Sequence, residues 1–297
     1  MGENRVAVVD AKGDVDAAVR RSVELLGGTG LEGGEHVIIK PNLCNAKNPH
    51  GMVITDFRVI EAVIGLVGEK AGRVTVVESD NISDTADSRA EKSGLLDLLD
   101  GLGVGFLNLS GDEYEVHEVA GKKLKLPRTV IDADFFVNLP KVKTEGHVGV
   151  TLSMKNLFGL PVRRRKSQLH GGLGEILPYL AKVVRNDLIV VDGLTAMEGN
   201  GPLIGTPREV GVIVAGTNPV SVDSVCSTLM CFDPYDIEHI ARGHREGLGE
   251  IELEKLELVG DGLDQFICEF QRPYSLRATL RSLRSVREIY LPGDDST

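Results

Sequence analysis

The sequence predicts an α/β protein built on a mostly parallel sheet, with helices on both faces and a further helix at the C-terminus. Short runs of β-branched residues alternate with segments of helical period, and no fixed-period repeat or low-complexity tract interrupts the alternation. One α/β domain is expected over residues 1–270, divisible into lobes at 1–128 and 129–270. An arginine-rich helical tail is expected to follow it over residues 271–297.

The first half of the chain alternates five predicted strands with three predicted helices. The strands, all rich in apolar residues, are predicted at 5–10, 36–40, 73–78, 104–109 and 130–139. The first helix has apolar residues at helical spacing from Val15 to Leu26 and stops at two glycines. A second helix is capped by Thr55 and Asp56, and a third is predicted at 86–99.

The second half repeats this alternation. Helices are predicted at about 147–159, 174–184 and 218–230, and strands at 188–192 and 209–215. The last of these helices has a proline in its first turn, a position that favours proline. Strands that alternate with helices of this length imply βαβ units and a sheet covered on both faces.

Composition excludes several classes of protein. Lys and Arg number 33 and Asp and Glu number 44, which gives a formal charge of −11, whereas general nucleic-acid binders are basic. The longest apolar runs are strand-sized, far short of the ~20 residues that a membrane span needs. Because the N-terminus leads directly into a predicted strand, a cytoplasmic protein is expected. The four cysteines are scattered, so free thiols are expected and no ferredoxin-type cluster motif is present.

The first segment with chemical character is Lys-Pro-Asn at 40–42, at the end of a predicted strand. Parallel sheets bind ligands beyond the carboxyl ends of their strands. Lys40 and Asn42 would place a positive charge and an amide there. The structural alternative, equally weighted, is an ammonium directed to solvent beside an asparagine that stabilises a turn.

A second segment follows the predicted strand at 130–139. Lys141 and Lys143 precede His147, Thr151 and Lys155, which would share one face if the predicted helix at 147–159 forms. Several lysines in one place favour a bound anion, because an anion offsets their repulsion. The alternative is a solvated polar face, and the scarcity of acidic residues there favours a binding site.

Two further basic segments stand out in this acidic chain. Four consecutive cations occupy 163–166 and precede His170, so this loop could close over an anion, contact an acidic partner or be an exposed turn without function. The tail beyond Gln271 has five arginines beside a helical stripe of leucines. It is expected to dock on the body of the protein, with a partner, lipid or RNA contact as the alternative.

Carboxylates mark the loop that follows the predicted strand at 188–192. Asp192 would end that strand, and Glu198 and Asn200 lie in a glycine-rich loop that can approach a ligand closely. They could bind a metal, act as a general base or neutralise lysines, and solvated carboxylates in a turn are the alternative. The glycine spacing matches neither a P-loop nor a dinucleotide-binding fingerprint. Asp223 lies within an apolar helical run, and a buried pair with a lysine or arginine is expected for it.

Taken together, these segments resemble the DUF362 family of bacterial and archaeal proteins over about residues 5–245. The shared motifs are Lys-Pro-Asn at 40–42, Leu-Pro-Lys-Val-Lys-Thr at 139–144, Thr-Leu-Ser-Met-Lys-Asn-Leu-Phe-Gly at 151–159, Asp-Gly at 192–193 with Met-Glu-Gly-Asn-Gly-Pro at 197–202, and Gly-Thr-Asn-Pro-Val at 216–220 with Asp223. Family members commonly have a histidine directly after Lys-x-Lys-Thr, whereas here two residues precede His147. The resemblance implies an α/β fold with the motif loops gathered at one edge of the sheet. Many relatives carry a ferredoxin-like iron–sulfur domain, which implies a redox neighbourhood for some members.

The leading functional hypothesis is an enzyme that acts on a small carboxylate- or phosphate-bearing anion, by isomerase- or lyase-type acid–base chemistry or by a redox-linked step. The expected catalytic residues are His147, Lys143, Lys155 and Asp192. The expected substrate-binding residues are Lys40, Asn42, Lys141, Thr144, Thr151, Asn156, Glu198 and Asn200. A divalent metal, an iron–sulfur electron-transfer partner and a homo-oligomer are compatible with the sequence. The alternative hypothesis is a non-catalytic anion- or cofactor-binding module that docks to a protein partner.

Overall fold

The computed structural model describes Gly2, residues 4–162 and residues 165–290, and twelve strands occur in this part of the chain. The strands are β1 (Arg5–Asp10), β2 (His36–Pro41), β3 (Arg73–Glu78), β4 (Gly105–Asn108), β5 (Tyr114–Val119), β6 (Lys122–Pro127), β7 (Phe135–Leu139), β8 (Lys141–Glu145), β9 (Gly149–Thr151), β10 (Leu188–Glu198), β11 (Thr206–Gly216) and β12 (Glu257–Gly260). Apart from the β5–β6 hairpin, they all belong to one sheet.

The helices of the described residues surround this sheet. They are α1 (Val15–Leu25), α2 (Phe57–Gly68), α3 (Ala86–Ser93), α4 (Leu95–Gly101), α5 (Arg128–Ile131), α6 (Ser153–Asn156), α7 (Leu173–Val183), α8 (Pro219–Leu229), α9 (Glu238–Arg245) and α10 (Leu276–Tyr290). None of them is long and apolar enough to cross a membrane.

The main sheet has the strand order β12-β1-β11-β10-β7-β2-β3-β4, and β8 and β9 extend from β10. Six strand pairs are parallel, and the pairs of β11 with β1 and β10, and of β8 with β9, are antiparallel. Because β1 lies between β11 and β12, strands from both ends of the chain share this sheet. The mostly parallel α/β class predicted from the sequence is confirmed.

Two hydrophobic cores cover the two faces of the sheet. In β2, Ile38 faces one core while Val37 and Ile39 face the other, as expected from the two-residue period of a strand. Helices α7, α8 and α9 pack on the first face, and α1, α2 and α4 pack on the second. This arrangement explains why the central strands are apolar throughout, and it confirms the prediction of helices on both faces.

The predicted helix at 147–159 is wrong. β8 instead turns back through residues 146–148 into β9, so that Lys143 pairs with Thr151 and Glu145 pairs with Gly149. Only the four residues of α6 are α-helical in this segment. The helical spacing of this segment does not determine its structure. The backbone N–H and C=O groups of β8 need hydrogen-bond partners, and β8 pairs with β10 as well as with β9. His147, Thr151 and Lys155 therefore do not share a helix face.

Four other expectations differ from the structure. The strand predicted at 130–139 begins only at residue 135, because the short helix α5 occupies 128–131. The predicted helix at 86–99 is broken at Gly94, whose φ of +82° marks the left-handed end of α3. β10 continues through Asp192 to Glu198, so Asp192 lies within a strand rather than at its end. Asp223 has no lysine or arginine partner among the described residues. Its carboxylate accepts hydrogen bonds from the Ser153 hydroxyl and from the first backbone N–H groups of α6.

The basic loop and the tail fall partly outside the described residues. Arg163 and Arg164, half of the predicted cationic run, lie there, and so do residues 291–297 of the tail. Within the described part of the tail, α10 forms as predicted, and it packs on the sheet through Ala278 and Ile289, which are both buried.

Candidate functional site

A cavity of about 250 Å³ lies beyond the carboxyl ends of β2 and β3. This is the edge where ligands bind in parallel sheets, because the loops diverge there. Of the residues predicted from the sequence, six line the cavity: Lys40, Asn42, Lys143, Thr151, Lys155 and Asn156. They come from β2, β8, β9, α6 and the loop after β2, so the fold brings distant segments together.

The charge of Lys40 is balanced by a carboxylate within the protein. Its ammonium donates to a Glu78 carboxylate oxygen at 3.0 Å and to the Pro41 carbonyl at 2.9 Å, and both side chains are nearly fully buried. A Cβ atom on Gly159 would lie 2.6 Å from the Lys40 ammonium, so only glycine fits against it. Burying an ammonium group requires such compensation, because desolvation of a charge is costly.

Two amide side chains connect Lys40 to Lys143 across the cavity wall. The Asn156 Oδ1 accepts hydrogen bonds from the Asn42 amide at 3.2 Å and from the Lys40 ammonium at 3.4 Å. The Asn42 Oδ1 in turn accepts from the Lys143 ammonium at 2.9 Å. Asn138 fixes the orientation of Asn156 by accepting from its Nδ2 at 2.8 Å. The network holds both lysines in defined positions.

Lys155 differs from its neighbours because its charge is not offset by contact. Among the described residues its ammonium has no hydrogen-bond or ion-pair partner, and it lies 4.6 Å from the centre of the Phe158 ring. Burial lowers the pKa of Lys155 and Lys143 lowers it further, whereas Glu145 opposes these effects. An ammonium that lines a cavity without a hydrogen-bonded partner favours binding of an anion there.

Lys166 closes the cavity from the segment that follows α6. It is buried, and its ammonium donates to the Gly159 carbonyl at 2.6 Å and to the Ser79 hydroxyl. Burial lowers the pKa of Lys166 to about 7, and the charges of Lys40 and Arg89 contribute in the same direction. Its charge therefore changes near neutral pH.

A carboxylate and two imidazoles form the rim of the cavity. Glu145 accepts from the His147 backbone N–H at 2.8 Å, and its other oxygen lies 2.8 Å from His147 Nδ1. The His147 ring packs against the tilted ring of His170, with the ring centroids 4.4 Å apart, and His170 lines the cavity. Burial would raise the pKa of Glu145, but Lys155 and the hydrogen bonds from His147 hold it below its ordinary value. Burial and the neighbouring His147 lower the pKa of His170.

Five apolar side chains line another part of the cavity, where the polar residues Asn81, Ser83 and Ser167 also lie. The apolar side chains are Leu43, Ile82, Phe158, Pro202 and Leu203, which come from four different loops. A cavity with a cationic end and apolar side chains in its wall suits a small organic anion better than a bare inorganic ion.

The structure does not bring five of the predicted site residues to this cavity. Lys141 and Asp192 form a fully buried ion pair of 2.7 Å between β8 and β10. Thr144 donates to the Gly199 carbonyl at 2.8 Å, and Glu198 accepts from the Gln271 backbone N–H at 3.1 Å. Asn200 accepts from the Tyr274 backbone N–H at 2.7 Å. All five stabilise contacts between segments, and His147 lies at the rim.

Four residues of the site were not among the predicted site residues: Cys44, Glu78, Arg89 and Glu145. Lys166 belongs to the basic loop at 163–166, for which closing over an anion was one expectation, and it lines the cavity. Glu78 ends β3 on the same edge as Lys40, so the register of the parallel sheet could have revealed it. Arg89 is buried and donates to the carbonyls of Leu43, Ser79 and Asp84, which holds together the loops after β2 and β3. No sequence pattern indicated Arg89, because its partners are backbone atoms.

No group of three or more histidine, cysteine or acidic residues that could hold a metal occurs in the described part of the chain. Asp192 and Glu198, the predicted metal ligands, are engaged with Lys141 and with a backbone N–H. The side chains present therefore do not form a divalent-metal site at these positions.

The fold and the cavity define a mixed α/β protein with a lysine-lined pocket at the carboxyl edge of its sheet. The profile of the DUF362 family, described as a domain of unknown function, matches residues 37–228. A thylakoid-associated protein of Synechocystis sp. is 34% identical over 93% of this chain and 92% of its own length. The chain belongs to the DUF362 family.

The fold is also similar to part of one solved structure. The lactate racemase apoprotein from Thermoanaerobacterium thermosaccharolyticum is 11% identical, with a TM-score of 0.42 over 77% of this chain. The match spans 57% of the racemase chain.

The buried pair of Lys141 and Asp192 yields a stability prediction. Asp192→Ala should lower the free energy of unfolding by about 3–5 kcal/mol, because it leaves a buried ammonium unpaired. Lys141→Met combined with Asp192→Leu should recover part of this loss, because no buried charge remains, although the backbone N–H groups of Asp56 and Leu194 still lack the acceptor that Asp192 provides. Urea denaturation followed by circular dichroism measures both effects. Glu257→Ala, which breaks the exposed pair with Arg5, is the control and should change stability far less. Unchanged stability of Asp192→Ala would contradict the structural role.

Proposed function

We propose that the protein is an enzyme that binds a small carboxylate- or phosphate-bearing anion in the cavity and performs acid–base chemistry on it. The observation that carries this proposal is the Lys155 ammonium, which lines the cavity without a hydrogen-bond or ion-pair partner among the described residues. A bound anion would supply that partner.

The charge balance of the cavity supports this proposal. Lysines 40, 143, 155 and 166 and Arg89 line it, against the carboxylates Glu78 and Glu145. Glu78 is committed to Lys40, and Glu145 receives hydrogen bonds from His147 and Val148. The excess of positive charge in a partly enclosed space attracts anions more strongly than the same charges would in water.

The groups for proton transfer lie beside the anion-binding lysines. His147, oriented by Glu145, and His170 could exchange protons with a ligand at the rim. Lys143 and Lys155 have pKa values lowered by burial, so their neutral amines are more accessible than those of ordinary lysines. Acid–base chemistry of the isomerase or lyase type fits these groups.

The anion-binding role of Lys155 predicts a loss of affinity. Lys155→Met should weaken binding of sulfate and succinate at least about tenfold, because one direct charge contact is removed. The melting temperature without ligand should stay unchanged or rise, because a poorly compensated charge is gone. The shift in melting temperature with each anion measures the affinity. Lys182→Met, on the exposed face of α7, is the control and should bind both anions normally. Equal binding by wild type and Lys155→Met would overturn the proposal.

Lys166 predicts a pH dependence of anion binding. Its pKa lies at about 7, so the group is largely protonated at pH 6 and largely neutral at pH 8. Sulfate, whose own charge is constant in this range, should therefore bind about tenfold more weakly at pH 8 than at pH 6. Lys166→Met should flatten this profile. Isothermal titration calorimetry at several pH values measures it, and a profile that is the same in both proteins would contradict the assignment.

A second candidate function is a non-catalytic anion-binding module that docks to a protein partner through α10. Leu276 and Leu280 lie one turn apart and are 77% and 62% exposed. Exposed apolar residues at helical spacing are typical of a docking face. An iron–sulfur electron carrier or a second copy of this chain would be such a partner. A cytoplasmic location is proposed with it, since all four cysteines are free thiols, which persist in a reducing compartment.

Leu276→Ser combined with Leu280→Ser tests this docking face. The double variant should lose a partner that co-purifies with the wild type, or lose self-association, while its melting-temperature shift with sulfate stays the same. Affinity purification and light scattering measure these outcomes. Leu102→Ser, at the exposed end of α4, is the matched control. Retention of the partner by the double variant would exclude α10 as the contact.

A further inference from the structure

Cys44 lies in the wall of the cavity, next to the most deeply buried of its lysines. Its sulfur is 3.4 Å from the Lys143 ammonium nitrogen, and both residues line the cavity. The thiol is partly exposed, in contrast to Cys226, which is buried and whose pKa burial raises well above the ordinary value. Cys44 is therefore placed to react with a molecule in the cavity, and Cys226 is not.

The hydrogen bonds of Lys143 indicate what Cys44 does for its neighbour. The ammonium is fully buried and donates to the Asn42 Oδ1 at 2.9 Å, the Val53 carbonyl at 2.7 Å and the Cys44 sulfur. Of these three acceptors only the sulfur can become negatively charged. A buried charge needs a counter-charge, so the pair is stable either as amine and thiol or as ammonium and thiolate.

We propose that Cys44 is a nucleophile of the cavity, with Lys143 as its base and Lys155 as the group that holds the anion beside it. The last part of this proposal rests on the proposed anion-binding function, whereas the pairing of Cys44 with Lys143 stands on its own geometry. Burial lowers the pKa of Lys143, and the charge and hydrogen bond of Cys44 oppose that effect. Because its pKa is lowered, the amine of Lys143 is more accessible as a base than that of an ordinary lysine.

The step balances without any co-reactant. The Cys44 proton passes to the Lys143 amine, and the thiolate attacks a carbonyl carbon of the bound anion. An S–C bond forms while the C=O π electron pair moves to oxygen, which then takes the proton from Lys143. The substrate class is thus a small carboxylate or phosphate that also carries a carbonyl group. Thiolates, not thiols, are the reactive form in such additions.

The charged groups around Cys44 come from three elements. Lys143 and Glu145 lie on β8, Lys155 lies on α6 and Arg89 lies on α3. Cys44 contributes to the electrostatic surroundings of both Lys143 and Lys155. These groups give the cavity around Cys44 an excess of positive charge, which attracts an anionic reagent.

Alkylation of the intact wild-type protein at pH 7 with iodoacetate and with iodoacetamide tests this inference. Both reagents form the same S–C bond and expel iodide, but only iodoacetate is an anion. Cys44 should react at least about tenfold faster than the exposed Cys231. It should also prefer iodoacetate, whereas Cys231 should prefer iodoacetamide. Peptide mass spectrometry gives the rate at each cysteine, and Cys44→Ser confirms the assignment of the modified peptide.

Two lysine variants separate the parts of the proposal. Lys143→Met should slow both reagents at Cys44, and Lys155→Met should slow iodoacetate alone. Lys143→Met can disturb the sheet edge. If that variant unfolds, the alkylation rates and the reagent preference of the wild type by themselves test whether Cys44 is the nucleophile. Reaction of Cys44 no faster than that of Cys231 overturns the nucleophile. Fast reaction with no preference for iodoacetate keeps the nucleophile and overturns the anion site.

Discussion

The cost of burying ammonium groups at the carboxyl edge of the sheet is the constraint on which this structure depends. Lys40, Lys141 and Lys143 all have side chains removed from solvent. Each requires a compensating partner, because an isolated buried charge is destabilising by several kcal/mol. The partners are a carboxylate for Lys40, a carboxylate for Lys141 and a set of neutral acceptors with a thiol for Lys143. The charge of the partner thus differs among the three lysines: Lys40 and Lys141 each have a carboxylate, whereas Lys143 has none in hydrogen-bonding contact among the described residues.

This difference gives the two lysines of the Lys-x-Lys segment different roles. Residues two apart in a strand normally point to the same face, and both Lys141 and Lys143 are buried. Their surroundings differ because the register of β8 against β10 shifts between them: Lys141 pairs with Asp192, whereas Lys143 pairs with Met197. Lys141 joins β8 to β10 through Asp192, away from the cavity. Lys143 lines the cavity, where its ammonium contacts Asn42 and Cys44. The ion pair of Lys141 with Asp192 thus fixes the strand that bears Lys143, the proposed base.

The loops that shape the cavity are held by backbone contacts as much as by side-chain pairs. Arg89 binds three carbonyls from the segments after β2 and β3, and Lys166 binds the Gly159 carbonyl. Gly159 lets the Lys40 ammonium approach the chain closely. These contacts fix the walls around Lys155, whose ammonium has no hydrogen-bond or ion-pair partner among the described residues. Such preorganisation would favour the proposed anion.

The amino-acid sequence was enough to predict the α/β class, most helices and strands of the described residues, and the lysine segments that line the cavity. Those features follow from hydrophobic period and from motif chemistry, which are local properties. That residues 147–159 contain a strand and a short helix could be seen only in the tertiary structure, because it depends on the hydrogen bonds that β8 makes with β9 and β10. The tertiary structure also decided that Asp192 and Lys141 neutralise each other while Cys44 meets Lys143, since these pairs are 51 and 99 residues apart in the chain. No local pattern encodes a contact over that separation.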